Sequence, residues 1–417
     1  MNSDPKIVIS DWQKVKFDEI ATIITDRIEK PIESGLKDYI GLDHLDTDCI
    51  RIKRFGSTED VDATKFLCKK GDIIFGKRNS YLRKVAVSDR DAVVSAHSMV
   101  LRPTGNKIYP DFLPCFMQSS TFWKTAHSIS EGSMSPTIKW KTLAAQEFWL
   151  PSIEEQKKIS ELLWSIEYNI QKTEKLIDTT EKLKQGLLNE LLTKGIGHTR
   201  FKDSELGRIP EEWEVVKLGD ITEMSQYGLS LPLKEEGEYS ILKMDNLVSG
   251  LVNINGLKYV DLDEGTFEKF RLKKGDILFN RTNSYEHVGR TSIFTLDENY
   301  VFASYLIRLR IRGDLADPYF ITQYLIHYNY DIKKIATKSI QQANINAKNL
   351  SNYKIRLPIL SEQREIVSIL KNIEQRLKNQ KEHMDKLASL KRKLINDFLS
   401  GNLKAEGYLE NQEVRVF

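Results

Sequence analysis

The sequence lacks what most catalytic and several structural classes require. Its 417 residues hold three cysteines, Cys49, Cys68 and Cys115, odd in number and with no CxxC pair. They read as reduced thiols rather than as a disulfide or zinc framework. The seven histidines show no ligand spacing, so no metal site is expected. No apolar run approaches a membrane span and residues 1–6 carry no apolar signal core, so the expectation is a soluble, cytoplasmic chain without a membrane partner. Excess charge is also missing: 62 basic residues against 59 acidic leave a formal +3. That balance neither demands nor excludes nucleic acid, because the clustering of charge decides. GxxxxGK[ST], GxGxxG opening a helix, HExxH and GxSxG are all absent, and no catalytic residue is expected.

What is present is a repeat, with 40% hydrophobic residues to fill the cores of two or three domains. Leu150-Pro151 returns as Leu357-Pro358, and Glu155-Gln156 as Glu362-Gln363, each 207 residues on. Lys69-Lys70-Gly71-Asp72-Ile73-Ile74-Phe75 returns as Lys273-Lys274-Gly275-Asp276-Ile277-Leu278-Phe279, at 204. Asp11-Trp12 resembles Glu212-Trp213, and Val93-Val94-Ser95-Ala96 aligns with Val301-Phe302-Ala303-Ser304. The drifting offset marks small loop insertions between two diverged copies of one module.

Each copy ends in a long helical pattern. Ile159, Leu163, Ile166, Ile170, Ile177 and Leu187 correspond to Ile366, Leu370, Ile373, Leu377, Met384 and Leu394. Steps of three and four dominate, which makes a narrow helical seam. Residues 153–194 would run about 63 Å as helix, more than a module of this size needs for its own core. An antiparallel pair made within the chain is the favoured arrangement. Packing of each helix on its own module, or dimerisation through parallel helices, competes with it. Ser152-Ile153-Glu154-Glu155 has capping-box spacing, Ser361 is the expected cap of the second helix, and Gly195 and Gly401 sit where helices end. Gly186 allows bending. Charges on the other faces, among them Lys157, Lys158, Glu161, Lys172, Glu174 and Lys175, read as solvated. Residues 195–210 read as a polar linker, and 404–417 as a loose tail or a strand added to the first module.

The modules read as mixed α/β. Residues 73–75, 85–87, 98–101, 277–279 and 306–309 should be strands, and 110–124 and 317–334 helical. Trp12, Trp123, Trp140, Trp149 and Trp213 read as core. Asp72 and Asp276, each after a turn glycine, suit local backbone capping better than nuclease chemistry. The basic polar loops carry more information. In the first module Lys77, Arg78, Asn79, Ser80, Tyr81, Arg83 and Lys84 lie between two strands. In the second, Arg281, Thr282, Asn283, Ser284, Tyr285, His287 and Arg290 do so. Arg can bond a guanine edge bidentately, Asn an adenine edge, and Lys and hydroxyls hold phosphates. A second pair of loops precedes the long helices: Ser133 and Ser135 in one copy, Gln341, Gln342 and Asn344 in the other. Both pairs are candidate DNA contacts, against the plainer reading of solvated turns.

Two α/β modules, each ending in an LP…EQ long helix, resemble the specificity subunit of type I restriction–modification systems. So do 195–202 and 206–213 as an entry to a second module, and Lys-Lys-Gly-Asp-Ile-Leu-Phe followed by Asn-Arg-Thr-Asn-Ser. The resemblance covers essentially the whole chain. It implies an α+β fold in which two target-recognition domains (1–150 and 211–357) are separated by two long helices (151–194 and 358–401) forming an antiparallel coiled coil, a pseudo-two-fold internal repeat. Residues 195–210 would be the linker and 402–417 the tail. It further implies a non-catalytic, DNA-binding subunit that reads a bipartite asymmetric target. Its partners would be double-stranded DNA, two methyltransferase subunits and restriction/motor subunits. S-adenosylmethionine, ATP and Mg²⁺ would serve those partners, leaving this chain without a cofactor. The alternatives are a coiled-coil scaffold that binds no DNA and a nuclease with an unrecognised site.

Overall fold

A computed structural model describes residues 11–297, 299–338, 343–405 and 408. The chain forms two compact units, 1–175 with 381–417, and 176–380. The division falls within both long helices, so each unit owns a stretch of each, where the sequence reading had set the helices apart from the modules.

In the first unit a four-stranded sheet runs Ala21–Ile24, Ser98–Pro103, Ile73–Gly76, Val85–Val87. A five-stranded sheet, with Ala92–Val94 at its centre, lies in the same module. Gln13–Lys16 pairs with Glu147–Leu150 and closes the module at the root of the helix. The second unit repeats the plan. Ile277–Asn280 pairs with Leu306–Ile311 as Ile73–Gly76 does with Ser98–Pro103, and Glu214–Lys217 pairs with Lys354–Leu357 as Gln13–Lys16 does with Glu147–Leu150. Two further strands, Leu247–Val248 and Gly250–Val252, extend its main sheet to six. The expected helix over 110–124 is two helices, Phe112–Phe116 and Ser120–Ser128. The Ser119 hydroxyl accepts from Phe122 N at 3.1 Å and starts a new helix there.

The long helices are Ile153–Leu191 and Leu360–Leu399. Within each unit they run antiparallel. In the first, Ile159, Leu163, Ile166 and Ile170 share a core with Leu394, Ile395 and Phe398, with Met384 packed against it. In the second, Leu188, Leu191, Ile366 and Leu370 share a core with Leu187 at its edge; Leu377 is buried, and Ile177 and Ile373 are half-buried. Gly186 interrupts neither helix nor packing. Gly195 and Gly401 take φ of +69° and +75°, the left-handed caps that glycine adopts without steric cost.

Each helix start is clasped to its module by the repeated Glu-Gln. Gln156 accepts from Tyr109 N at 2.8 Å and donates to the carbonyls of Pro151 and Lys107 at 2.9 and 3.1 Å. Gln363 accepts from Asp317 N at 2.8 Å and donates to Pro358 and Leu315 at 2.8 and 3.2 Å. Both are fully buried. The capping box at Ser152 is half made: Ser152 Oγ accepts from Glu155 N at 3.3 Å, but the Glu155 carboxylate accepts from Ala405 N at 2.5 Å instead of closing the box. Its counterpart Glu362 accepts from Ile196 N and Trp213 Nε1, both at 2.9 Å, with His198 Nε2 also at 2.9 Å. Ser361 is not the cap. Gln363 N donates to Ile359 O, so the helix begins one residue before it.

Three further readings need correction. The 195–210 linker folds in its second half into a hairpin, Phe201–Ser204 with Gly207–Pro210, held by Ile209 burial and by Arg356 donating to Leu206 O. Of the 404–417 tail only Lys404, Ala405 and Tyr408 are described, with Ala405 buried, and the rest of that reading lies outside the described residues. Glu174 is not solvated: it binds Arg51 at 2.8 Å and Lys53 at 2.6 Å. Of the tryptophans, Trp123 and Trp213 are core, whereas Trp149 is 51% exposed because its strand alternates inward Phe148 and Leu150 with outward residues. No helix among the described residues is long and apolar enough to cross a membrane.

Candidate nucleic-acid interface

The two polar loops of each copy, far apart in sequence, lie side by side. In the first unit Ile138 N donates to Lys77 O at 2.9 Å and Ser80 N to Pro136 O at 3.2 Å. The Arg78 Nε donates to Ser135 Oγ at 2.8 Å, and Ser135 Oγ donates to Asn79 Oδ1 at 2.8 Å. Arg78 Nη1 lies 3.5 Å from His97 Nε2. Arg78 is exposed, and with Nε on Ser135 and Nη1 against His97 the remaining Nη hydrogens can meet an acceptor such as a guanine edge. Asn79 takes a left-handed conformation (φ 56°), tolerable for Asn, which turns the chain into the short helix Ser80–Leu82.

In the second unit the same alignment is a small sheet. Thr282–Asn283 pairs with Ala343–Asn344, which pairs with Thr337–Lys338. Ile345 N donates to Arg281 O at 2.8 Å, as Ile138 does to Lys77. The Arg281 guanidinium lies 4.7 Å above the Tyr227 ring, and its Nη2 reaches Asn344 Oδ1 at 3.4 Å. Tyr227 is in turn fixed by accepting from Ala347 N at 2.8 Å. Lys77 has a similar backing, 5.9 Å from the Phe66 ring. Each unit therefore offers a cation resting on an aromatic face beside amides or hydroxyls.

The sequence-nominated residues divide. Arg78, Asn79, Ser135 and, half-buried, Lys77 share one face; Ser133 and Tyr81 are exposed near it in sequence. Ser80, Arg83 and Lys84 are taken up by the module. Ser80 is buried, Arg83 pairs with Asp48 at 2.9 Å, and Lys84 donates to Leu42 O at 2.5 Å. In the second unit Arg281, Thr282 and Asn344 come together. Ser284, Tyr285 and Arg290 are exposed; Lys333 lies 5.7 Å from the Tyr285 ring, and His287 Nδ1 is 2.7 Å from Arg290 Nη2. Gly289 (φ +82°) has no room for a side chain, since a Cβ would meet Asn329 Nδ2 at 2.5 Å. Gln341 and Gln342 lie outside the described residues, and Asn283 is described only by its backbone. Sequence reading missed His97 and Tyr227. The 208-residue offset places His97 opposite Tyr305, a signal the repeat carries but that no motif marks, and nothing local distinguishes Tyr227.

The basic groups of this face act on one another. Lost solvation, with Arg78, Lys77 and Lys65 nearby, holds the His97 imidazole below its ordinary value. Burial and Arg27 lower the Lys77 ammonium. By contrast the recurrent aspartates are fully engaged. Asp72 accepts from Arg102 at 2.7 and 2.9 Å and from Lys69 N at 2.8 Å. Asp276 accepts from Arg310, twice at 2.8 Å, and from Lys273 N at 2.9 Å. Such forked pairs are structural, and no group of acidic, His or Cys residues that could hold a metal exists among the described residues.

Comparison with known proteins bears on the family and the fold. The family model for the type I restriction modification DNA specificity domain matches twice, over residues 9–182 and 210–387. A type I restriction enzyme MjaVIII specificity subunit of Methanocaldococcus jannaschii is 26% identical, covering 96% of this chain and 94% of that one. A solved S subunit of a type I restriction–modification system from M. genitalium shares the fold at TM-score 0.57 and 16% identity, over 95% of this chain and 97% of that one. A chain from a structure describing complex assembly and conformational transition of the type I R-M system matches at TM-score 0.59 and 20% identity, over 97% and 100%.

Proposed function

The chain belongs to the type I restriction–modification DNA specificity family, and from that premise we propose that its two aromatic-backed cationic faces read the two halves of one bipartite, asymmetric DNA target. It is a specificity subunit and not itself an enzyme. The observation that carries the reading is the recurrence of one constellation in both units: Lys77 with Arg78, Asn79 and Ser135, and Arg281 with Thr282 and Asn344. Because these residues differ between units, the half-sites differ and the target is not palindromic. The long helices serve as the spacer and as the seat for two methyltransferase subunits, to which restriction/motor subunits are added. S-adenosylmethionine, ATP and Mg²⁺ are used by those partners and not by this chain, and the assembly works in the cytoplasm.

Replacing Arg78 or Arg281 with Ala tests the assignment. The expected outcome is relaxed sequence choice in one half-site only, by about 1–3 kcal/mol, in duplex-binding assays with the other half held constant. Equal weakening on all sequences, with a shallower salt dependence, would reduce these residues to phosphate contacts.

A further inference from the structure

Glu167 and Glu374 stand 207 residues apart at equivalent positions of the repeat, and so do Lys184 and Lys391. In the first unit the Glu167 carboxylate accepts from Lys391 Nζ at 2.6 Å across the helix pair, and from Arg51 of the globular module. In the second unit Glu374 accepts from Lys184 Nζ at 2.7 Å across the pair, and from the Tyr319 hydroxyl of its own module. Each carboxylate thus joins three bodies: the helix it stands on, the opposing helix and the module. The limbs to the modules differ. Arg51 is a charged fork shared with Glu174 at 2.8 Å, and Lys53 backs Glu174 at 2.6 Å. Tyr319 contributes one neutral hydroxyl.

Glu167 and Lys391 are each 6% exposed at the side chain, whereas Lys184 and Glu374 are 22% and 28% exposed, so the register argument is strongest in the first unit. A buried ion pair is a poor source of net stability, because the cost of desolvation offsets the attraction, and apolar residues would fill the seam as well. What it supplies is a single register, since a slip of either helix leaves a charge buried without a partner. Recurrence of the pair with a module limb attached in both copies, by different side chains, points to a role beyond filling.

We infer that Glu167 and Glu374 are positioning residues for DNA recognition, each locking its own module to its own stretch of the helix pair in one setting. The inference rests on the DNA-reading role proposed above. A module free to rock on its helices presents its recognition face in several settings and averages away the contacts that separate correct from incorrect base pairs.

The test uses the full-length chain with its methyltransferase partners. Duplexes carry the target identified from methylated sites, with one half-site at a time replaced. Arg78→Ala and Arg281→Ala assign each half-site to its module. Tyr319→Phe removes one oxygen and should lower discrimination at the second module's half-site about tenfold, a typical loss for a hydrogen bond to a charged group, with the first half-site unchanged. Arg51→Gln should do the reverse. Equal loss at both half-sites, or a lower melting temperature with discrimination intact, would overturn the inference and leave these groups merely stabilising. If Arg51→Gln does not fold, Tyr319→Phe still decides the matter. If the unaltered complex discriminates neither half-site, the DNA-reading role itself fails, an outcome distinct from both.

Discussion

At the scale of single residues, the repeated Gln of the Glu-Gln pair does more than mark the repeat. Gln156 and Gln363 each satisfy one amide and two carbonyls, the proline carbonyl of each set being buried, and each occupies the junction of module and helix. Replacing Gln363 with Leu keeps the volume but strands three backbone groups. The expected cost is about 2–4 kcal/mol in denaturant unfolding, at 1–3 kcal/mol for each unsatisfied buried group with partial relaxation. A loss below about 0.5 kcal/mol would show that water replaces the amide. The sequence displays this residue plainly, as an identity at constant offset, but not its use, because two of its three partners in each copy lie 46 to 49 residues upstream. The turn role of Asp72 and Asp276 was legible: glycine before them announced a turn, and their oxygens cap that turn. The arginines completing the fork sit on a neighbouring strand and could not be seen from the turn alone.

At the scale of the element, the seam was readable because apolar side chains at steps of three and four have few other uses. Its polar centre was not. Glu174 carries the same composition as a solvated face, and Glu167 and Lys391 become seam residues only once helices from opposite halves of the sequence meet. A pH dependence follows. Burial pushes the Glu167 carboxyl up, but Lys391 and Arg51 outweigh it and hold the group below its ordinary 4.5. Glu174 is lowered in the same way by Lys53 and Arg51. A carboxylate lowered on folding stabilises above its unfolded value and loses that contribution as pH falls through its folded value. The first unit should therefore weaken on acidification below about pH 5. Glu167→Gln should be less stable than the unaltered chain near neutrality, with the two melting temperatures converging in acid. Parallel curves across that range would contradict the assignment. The two polar loops show the same limit: each was visible alone, but their alignment rests on long-range pairing, such as Ile138 with Lys77, that no local pattern encodes. The 201–210 hairpin was hidden for a related reason, its polar, glycine-containing sequence matching that of a linker.

At the scale of the whole molecule, the account makes the chain a two-part reader whose parts share one plan but not one set of contact residues. Four residues inserted at equivalent points of both long helices add about 6 Å, roughly two base pairs. The expected product is a target with a changed gap and unchanged half-sites, detectable by sequencing methylated DNA; altered half-sites would argue against a spacer. Binding to duplex DNA should also fall steeply with salt, as phosphate contacts release counterions, whereas a scaffold that binds no DNA would show neither affinity nor slope.

The most direct measurement is methylome sequencing of cells that carry this chain with its methyltransferase partners, compared with cells that lack it. The account predicts one new class of methylated site, made of two unlike short sequences separated by a fixed run of unspecified base pairs. A palindromic site, a single uninterrupted one, or no new methylation at all would contradict it.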